Sequence, residues 1–325
     1  MRKLLLSSTA IASAAVLTAN IAVADIAITA GTEWTYVSQS SQVTANDGTS
    51  FGTDAEIKFN FTNKTDTGLT VGYVVELESD DGNSLINESS ISIAGGFGKV
   101  VLGGNDGVLD NYGFEAEDAV SEHSKSAHTS ATIDLESGPT GQYNDANKIA
   151  YHLPAMGGLT VGVAHTDSGN TAGTDTTGVG FAYTMEAAGN TVTIAGAQET
   201  TEATTTDLDL QNLSAKVQSG NLTFIVSNST YEAVDEDRST TGAGVNYKMA
   251  NGMVLGAYTF KSEDDLDAGE EYSKSGVEVM YTIAAGLKAI VNVDDYNYKI
   301  GTDNDGASTV ADSGTISKLT IQASF

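Results

Sequence analysis

Apolar and polar residues alternate with a period of two along most of this chain. In "DAEIKFNFTN", Ile57, Phe59 and Phe61 fall on one side and the polar residues between them on the other. This alternation is typical of β-strands with two unlike faces. It predicts sixteen strands of about ten residues: 26–37, 54–63, 68–78, 88–95, 97–104, 147–154, 157–167, 177–187, 190–199, 208–218, 221–231, 240–249, 252–262, 272–284, 286–296 and 316–325.

The connections between these strands alternate in length. Short glycine-rich turns such as "AGGFG", "AAGN" and "IAAG" follow the even-numbered strands, which favours tight hairpins because glycine accepts a positive φ. Longer polar connections follow the odd-numbered strands. The whole pattern predicts an up-and-down meander with two unlike ends.

The second face of several strands is small or polar, as at Thr160, Gly162 and Ala164. Such a face could be the solvent side of a sandwich or the lining of a barrel. Strands of about ten residues match the length that crosses a bilayer at a tilt, and a sheet in lipid must close because lipid satisfies no hydrogen bonds. In a closed barrel the last strand would pair with the first and hold Phe325 beside Asp25.

Aromatic residues near the strand ends fit the two interfacial girdles of a membrane barrel. The aromatics assigned to the apolar face are Trp34, Tyr36, Tyr73, Tyr151, Tyr183, Tyr258, Phe260, Tyr281 and Phe325.

The N-terminus has the order of a secretory signal. Arg2 and Lys3 precede an apolar stretch that ends in the small residues Ala22, Val23 and Ala24. Polar residues interrupt the stretch, which argues against a membrane-spanning helix. We therefore expect residues 1–24 to be a cleaved signal peptide and residues 25–325 to be the exported domain.

The chain is strongly acidic, with 43 Asp and Glu against 15 Lys and Arg and a formal net charge of −28. Nucleic-acid binding depends on basic side chains, so this balance excludes a nucleic-acid partner. The sequence has no cysteine, and an exported domain of this size must therefore rely on its sheet rather than on disulfides.

Motifs for catalysis are missing from the sequence. The four histidines lack zinc-binding spacing, and neither a G-x-S-x-G elbow nor a phosphate-binding loop occurs. We expect neither enzymatic activity nor a cofactor.

Two stretches carry a resemblance to a known family: "GGFGKVVLGGNDGVLD" at 95–110 and "NKIAYHLPAMGGLTVGVAH" at 147–165. With the signal sequence, the strand pattern and terminal Phe325, the chain resembles the general-diffusion porins of Gram-negative outer membranes, most of all those of alphaproteobacteria. The resemblance implies an all-β fold, a 16-stranded antiparallel transmembrane β-barrel whose long third loop folds inward.

The resemblance also implies partners and a location. A porin of this type would lie in the outer membrane, contact lipid and lipopolysaccharide, and form a homotrimer. Its final strand would be read by the outer-membrane assembly machinery. Small hydrophilic solutes and ions would diffuse through it passively.

The third loop, residues 105–146, is the longest connection, and a loop of this length is usually functional or disordered. If it folds inward, its carboxylates would line the constriction and concentrate cations. The alternative is an acidic surface loop. The predicted constriction residues are Asp106, Asp110, Glu115, Glu117, Asp118 and Glu122.

Porins of this family usually place arginines on the wall that faces the loop, and here the only arginine after the signal is Arg238. Lysines would have to take this part, so the predicted lumen wall consists of Lys58, Lys99, Lys148, Glu33 and Glu76. The alternative is that these lysines only offset nearby carboxylates. With few positive charges on the wall to balance the carboxylates of the loop, the expected preference for cations would be stronger.

A late loop, "KSEDDLDAGEEYS", is dense in carboxylates that could hold a structural Ca²⁺. The candidate rim is Asp264, Asp265 and Asp267. A solvated acidic rim is the alternative.

These patterns favour a passive, cation-preferring diffusion channel. The rival hypothesis is a secreted all-β calcium-binding adhesin or surface-layer protein, in which the same alternation would build a soluble sandwich.

Overall fold

The computed structural model describes residues 25–79, 86–121, 146–167, 175–202, 207–234, 236–266, 269–301 and 311–325. These residues form sixteen strands: β1 Asp25–Ser41, β2 Gly48–Lys64, β3 Thr70–Glu78, β4 Ile86–Gly95, β5 Gly98–Gly104, β6 Asn147–His152, β7 Leu159–Thr166, β8 Thr176–Ala187, β9 Asn190–Thr201, β10 Leu208–Ser219, β11 Leu222–Glu232, β12 Asp237–Lys248, β13 Val254–Asp264, β14 Glu271–Ala284, β15 Leu287–Lys299 and β16 Asp312–Ser324. The helical elements in these ranges are α1, Val108–Tyr112, and two 3₁₀ helices, Thr44–Asn46 and Ala116–Ala119.

The strands form one closed antiparallel barrel in which each strand pairs with its neighbours in sequence. β1 pairs with β16 from Gly31 opposite Ser324 to Ser41 opposite Gly314, so the sheet has no open edge. The predicted 16-stranded antiparallel barrel is therefore confirmed.

The last residue is tied down at this seam. The Phe325 amide donates to the Ala30 carbonyl at 2.8 Å, and the Ala30 amide donates to the Phe325 carbonyl at 3.2 Å. The expected position beside Asp25 is wrong, because strands in a barrel are staggered and Asp25 instead lies opposite Thr62 of β2.

The strand limits differ from the prediction mainly where polar residues continue the pairing. β1 and β2 are each 17 residues long and remain paired up to Gln39 opposite Gly48. Their predicted 16-residue connection shrinks to a short one, since backbone pairing continues beyond the apolar part of a strand. β6 stops at His152 rather than residue 154, because Pro154 has no amide hydrogen to donate.

The two faces of the barrel differ as predicted. Large apolar side chains point outward and stay exposed around the ring, as at Ile28, Ile149, Leu213 and Val277. This outer apolar band has no protein partner within the described residues. The inner face carries mainly small, polar and charged side chains, and larger inward residues such as Leu210 and Phe260 are buried there.

Most predicted girdle residues lie on the outer face, where Trp34 stacks on Phe51 at 5.5 Å and Phe61 stacks on Tyr73 at 5.9 Å between ring centroids. Tyr258 and Phe260 are exceptions and that prediction is wrong. They point inward and are 4% and 2% exposed, because the third loop covers them from the lumen side.

Candidate functional site: the pore and its third loop

The third loop enters the barrel and lies along its inner wall. Its described part, residues 105–121, is here called the inner loop segment. Helix α1 packs against β7, β8 and β9, and the 3₁₀ helix Ala116–Ala119 packs against β11, β12 and β13. The inner loop segment therefore follows the wall from β7 to β13, and these two helices do not pack on β1–β4.

Glycines in the wall make room for this segment. A Cβ added at Gly162 would lie 2.5 Å from the Tyr112 hydroxyl, and one added at Gly180 would lie 2.7 Å from the Tyr112 ring. Under the 3₁₀ helix, a Cβ at Gly242 would lie 2.6 Å from the Ala116 Cβ. Only glycine allows the segment to approach the strands so closely.

Apolar packing secures α1. Val108, Leu109 and Tyr112 are buried against a cluster that the inner faces of the strands provide. The small side chains Ala150 and Ala164 belong to this cluster, as does Leu210. The helix thus turns one face to the wall and its polar face to the pore.

Hydrogen bonds fix the beginning of the segment. The Lys148 ammonium donates to the Asn105 carbonyl. The buried Glu199 carboxylate accepts from the Val108 amide at 2.9 Å, where a helix N-terminus favours negative charge. The Tyr112 hydroxyl and the His152 Nδ1 lie 2.7 Å apart, and burial raises the pKa of Tyr112, so its phenol keeps its proton.

The second half of the segment is held by β10 and β14. The Phe114 amide donates to the Ser214 hydroxyl at 2.9 Å, and the Lys216 ammonium lies 3.7 Å from the centroid of the Phe114 ring. Further along, Glu117 forms an ion pair with Lys274 at 2.9 Å.

The predicted constriction carboxylates have different surroundings. Three are exposed and are here called the exposed loop carboxylates: Asp106, Asp110 and Asp118. Glu115 is half-buried, and Glu117 is only 4% exposed because it faces the wall. Glu122 lies outside the described residues. Their role in the constriction stays a prediction.

The opposite side of the lumen is also acidic. In a closed ring of sixteen strands, β2 lies opposite β10, so the β1–β3 face looks toward the loop. By strand register five carboxylates share this face with Lys58, and they are here called the acidic wall: Glu33, Asp54, Glu56, Glu76 and Glu78. Lys58 contacts Glu76 and lies 3.8 Å from Glu56.

The other predicted wall lysines lie at the base of the loop. Lys99 is exposed and pairs in register with His152, whereas Lys148 is buried against the loop backbone. Glu33 accepts a hydrogen bond from Gln322. The structure therefore brings Lys58, Glu33 and Glu76 to one side of the lumen and Lys99 and Lys148 to another.

Sequence reasoning missed several residues that hold the loop, among them Glu199, Ser214, Lys216, Lys274 and Glu278. Each of them occupies an inward-facing position in the alternation of its strand, and this alternation could have placed them in the lumen. Nothing in the sequence showed which part of the wall the loop would touch.

The candidate metal rim gains no support from the structure. No group of three or more histidines or carboxylates among the described residues is arranged to hold a metal ion. Asp264 accepts from the Asp237 and Leu266 amides at 3.3 and 2.8 Å, and Asp267 lies outside the described residues. A structural Ca²⁺ stays a prediction.

The part of the chain that the structure describes contains no helix long and apolar enough to cross a membrane. A closed barrel with an apolar exterior, a polar lumen and an inward loop defines the class of channel-forming outer-membrane proteins. A family model described as Gram-negative porin matches residues 8–317. The chain belongs to this family, whose members are outer-membrane diffusion channels rather than enzymes.

Solved structures show the same fold. An anion-selective porin from Comamonas acidovorans matches with a TM-score of 0.65 and 16% identity, covering 93% of this chain and 100% of that one. A triple mutant of the Rhodopseudomonas blastica porin matches with a TM-score of 0.67 and 17% identity, with the same coverage. A search of curated proteins gave no match.

Proposed function

We propose that this porin passes small hydrophilic solutes and ions through its lumen and prefers cations. The observation that carries the proposal is that acidic groups occur on both sides of the open lumen. The exposed loop carboxylates lie on one side and the acidic wall on the other. A passage walled by one sign of charge concentrates the opposite ion.

Three lysines of the lumen are engaged by other groups, which limits how far they offset the negative charge of the carboxylates. Lys58 is engaged by Glu76, Lys274 by Glu117, and Lys148 by the Asn105 carbonyl. The anion selectivity named for the Comamonas porin belongs to a chain of similar fold and only 16% identity. Selectivity therefore depends on the particular charges rather than on the barrel.

The test is electrical. Purified protein in planar lipid bilayers should give discrete conductance steps, and in a tenfold KCl gradient the reversal potential should have the sign of cation preference, within the limit of roughly 59 mV for a monovalent ion. Asp106→Asn, Asp110→Asn and Asp118→Asn together should move it toward zero.

Asp295→Asn is the matched control, because the Asp295 carboxylate is exposed on the outer face and accepts from Thr315 at 2.6 Å. It should leave the reversal potential unchanged. A membrane without conductance steps would refute the channel, whereas anion preference in the wild type would refute only the selectivity.

Family membership also supports proposals about the export, assembly and membrane insertion of the protein. We infer that residues 1–24 are removed on export, that three copies assemble, and that the outer-membrane assembly machinery inserts the barrel among lipid and lipopolysaccharide. N-terminal sequencing and native mass spectrometry of the purified protein would contradict these points if they found residue 1 retained or a single copy.

A further inference from the structure

The end of the inner loop segment is attached to β14 by a buried ion pair. The Lys274 ammonium lies 2.9 Å from the Glu117 carboxylate, and the two side chains are 0% and 3% exposed. The pair joins two parts of the chain 157 residues apart.

The surroundings of this pair are apolar and aromatic. Ala116, Tyr258 and Phe260 belong to one buried cluster, and the Lys274 ammonium lies 5.7 Å from the centroid of the Tyr258 ring. The Tyr258 hydroxyl in turn donates to Asp294 at 2.9 Å. In such a setting a buried charge that loses its partner is strongly disfavoured.

A second attachment lies on the same strand. The Ser121 hydroxyl donates to Glu278 at 2.8 Å, and the Ser121 amide donates to the same carboxylate at 3.0 and 3.1 Å. Lys274 and Glu278 are four residues apart on β14 and therefore point to the same face. The loop is held at two points, on either side of Ala119.

Between these points the backbone lies directly on the wall. A Cβ added at Gly256 would lie 2.8 Å from the Ala119 carbonyl oxygen and from a Val120 methyl group. The attachments therefore hold the segment in a groove that fits it closely.

We propose that Glu117, Lys274, Ser121 and Glu278 form a wall latch that positions the third loop and thereby sets the open width of the pore. The latch, whose two wall residues lie on β14, keeps the loop against β11, β12 and β13 and holds Asp118 at a fixed place beside the lumen. When it opens, the segment leaves the wall and enters the pore. Glu117 is thus a positioning residue rather than an ion-contacting one, a role that rests on the proposed channel function.

The electrical test compares Glu117→Gln, Lys274→Met and the double variant. Each single change removes the oppositely charged partner of one buried charge, so the open-channel current should become noisier and its mean should fall. The double variant removes both charges, and its current should return toward the wild type. Lys261→Met is the matched control, because Lys261 pairs with Glu271 at 2.9 Å on the outer face.

A second readout does not depend on conduction. The chain has no cysteine, so Asp118→Cys with a nitroxide label reports only on the loop. The label should become more mobile with Lys274→Met and should regain its restricted spectrum in the double variant. Thermal unfolding of the barrel should stay within a few degrees of the wild type in all assembled variants.

Two outcomes would overturn the latch. One is a wild-type current and label mobility in both single variants, and the other is a double variant that behaves like the sum of the singles. If Lys274→Met does not assemble, the current and label mobility of Glu117→Gln test the latch instead, because this substitution keeps the side-chain volume. A wild-type protein without conductance would refute the channel, and the label would still test the latch.

Discussion

The close contact between Tyr112 and the glycines beneath it allows a quantitative prediction about pore width. Gly180→Ala would place a methyl carbon 2.7 to 2.8 Å from three carbon atoms of Tyr112. Carbon atoms in contact are normally about 3.5 to 4.0 Å apart. The ring must therefore withdraw from the wall by about 1 Å, which moves it toward the lumen.

The energetic effect follows from the same geometry. Inserting a methyl group into a well-packed site costs about 1 to 3 kcal/mol. A 1 Å displacement would also stretch the 2.7 Å contact between Tyr112 and His152 beyond hydrogen-bonding distance, and a typical hydrogen bond contributes about 1 kcal/mol. Helix α1 should therefore dock less firmly and lie further into the pore.

Single-channel conductance and the entry of sugars of graded size into proteoliposomes would measure this narrowing. Gly180→Ala should lower the conductance and exclude the larger sugars. Gly31→Ala is the control, because a Cβ at Gly31 would meet nothing within 4 Å. Adding Tyr112→Leu to Gly180→Ala should restore the width.

The reasoning would be refuted if Gly180→Ala and Gly31→Ala gave the same conductance and the same sugar cut-off. It would also be refuted if Tyr112→Leu failed to relieve the effect in a correctly assembled barrel. Either result would mean that the wall, rather than the helix, adjusts to the added methyl group.

Two further predictions concern the start of the loop and the outer face. Glu199→Gln removes the charge that faces the Val108 amide. This change should weaken the docking of α1 by about 1 kcal/mol and speed hydrogen exchange of the amides in that helix roughly fivefold. An unchanged exchange rate would contradict the prediction. Val277→Arg puts a charge into the outer apolar band, where Val277 is 59% exposed. It should lower the free energy of unfolding in lipid vesicles by about 2 to 4 kcal/mol, whereas Asn60→Arg on the lumen face should not.

The barrel itself could be predicted from sequence because its determinants are local. Alternation fixes the two faces of each strand, and glycine turns fix the hairpins; Gly189 has a φ of 80° in the turn between β8 and β9. Closure then follows from the cost of an open edge in lipid. The polar extensions of β1 and β2 were not predicted, because a Ser- and Thr-rich stretch has the same composition in a paired strand as in a loop.

The candidate site was harder to predict from the sequence because it depends on contacts between residues far apart in the chain. Glu117 and Asp118 are adjacent and chemically alike, yet one is buried in an ion pair and the other is exposed. The 3₁₀ turn that carries them directs consecutive side chains in different directions. Tyr258 and Phe260 were assigned to the wrong face for a related reason, since their burial depends on the loop that covers them.

The seam between β1 and β16 has a consequence for the kinetics of assembly. Gln322 and Glu33 meet across it although they are 289 positions apart in the chain, whereas the other strand pairs join neighbours in sequence. Neighbouring strands can therefore pair one after another, but the barrel cannot close until β16 is available to pair with β1. A shortened C-terminus should lengthen the lifetime of the unsealed intermediate and expose it to proteolysis, while the passage in those molecules that do seal keeps its dimensions.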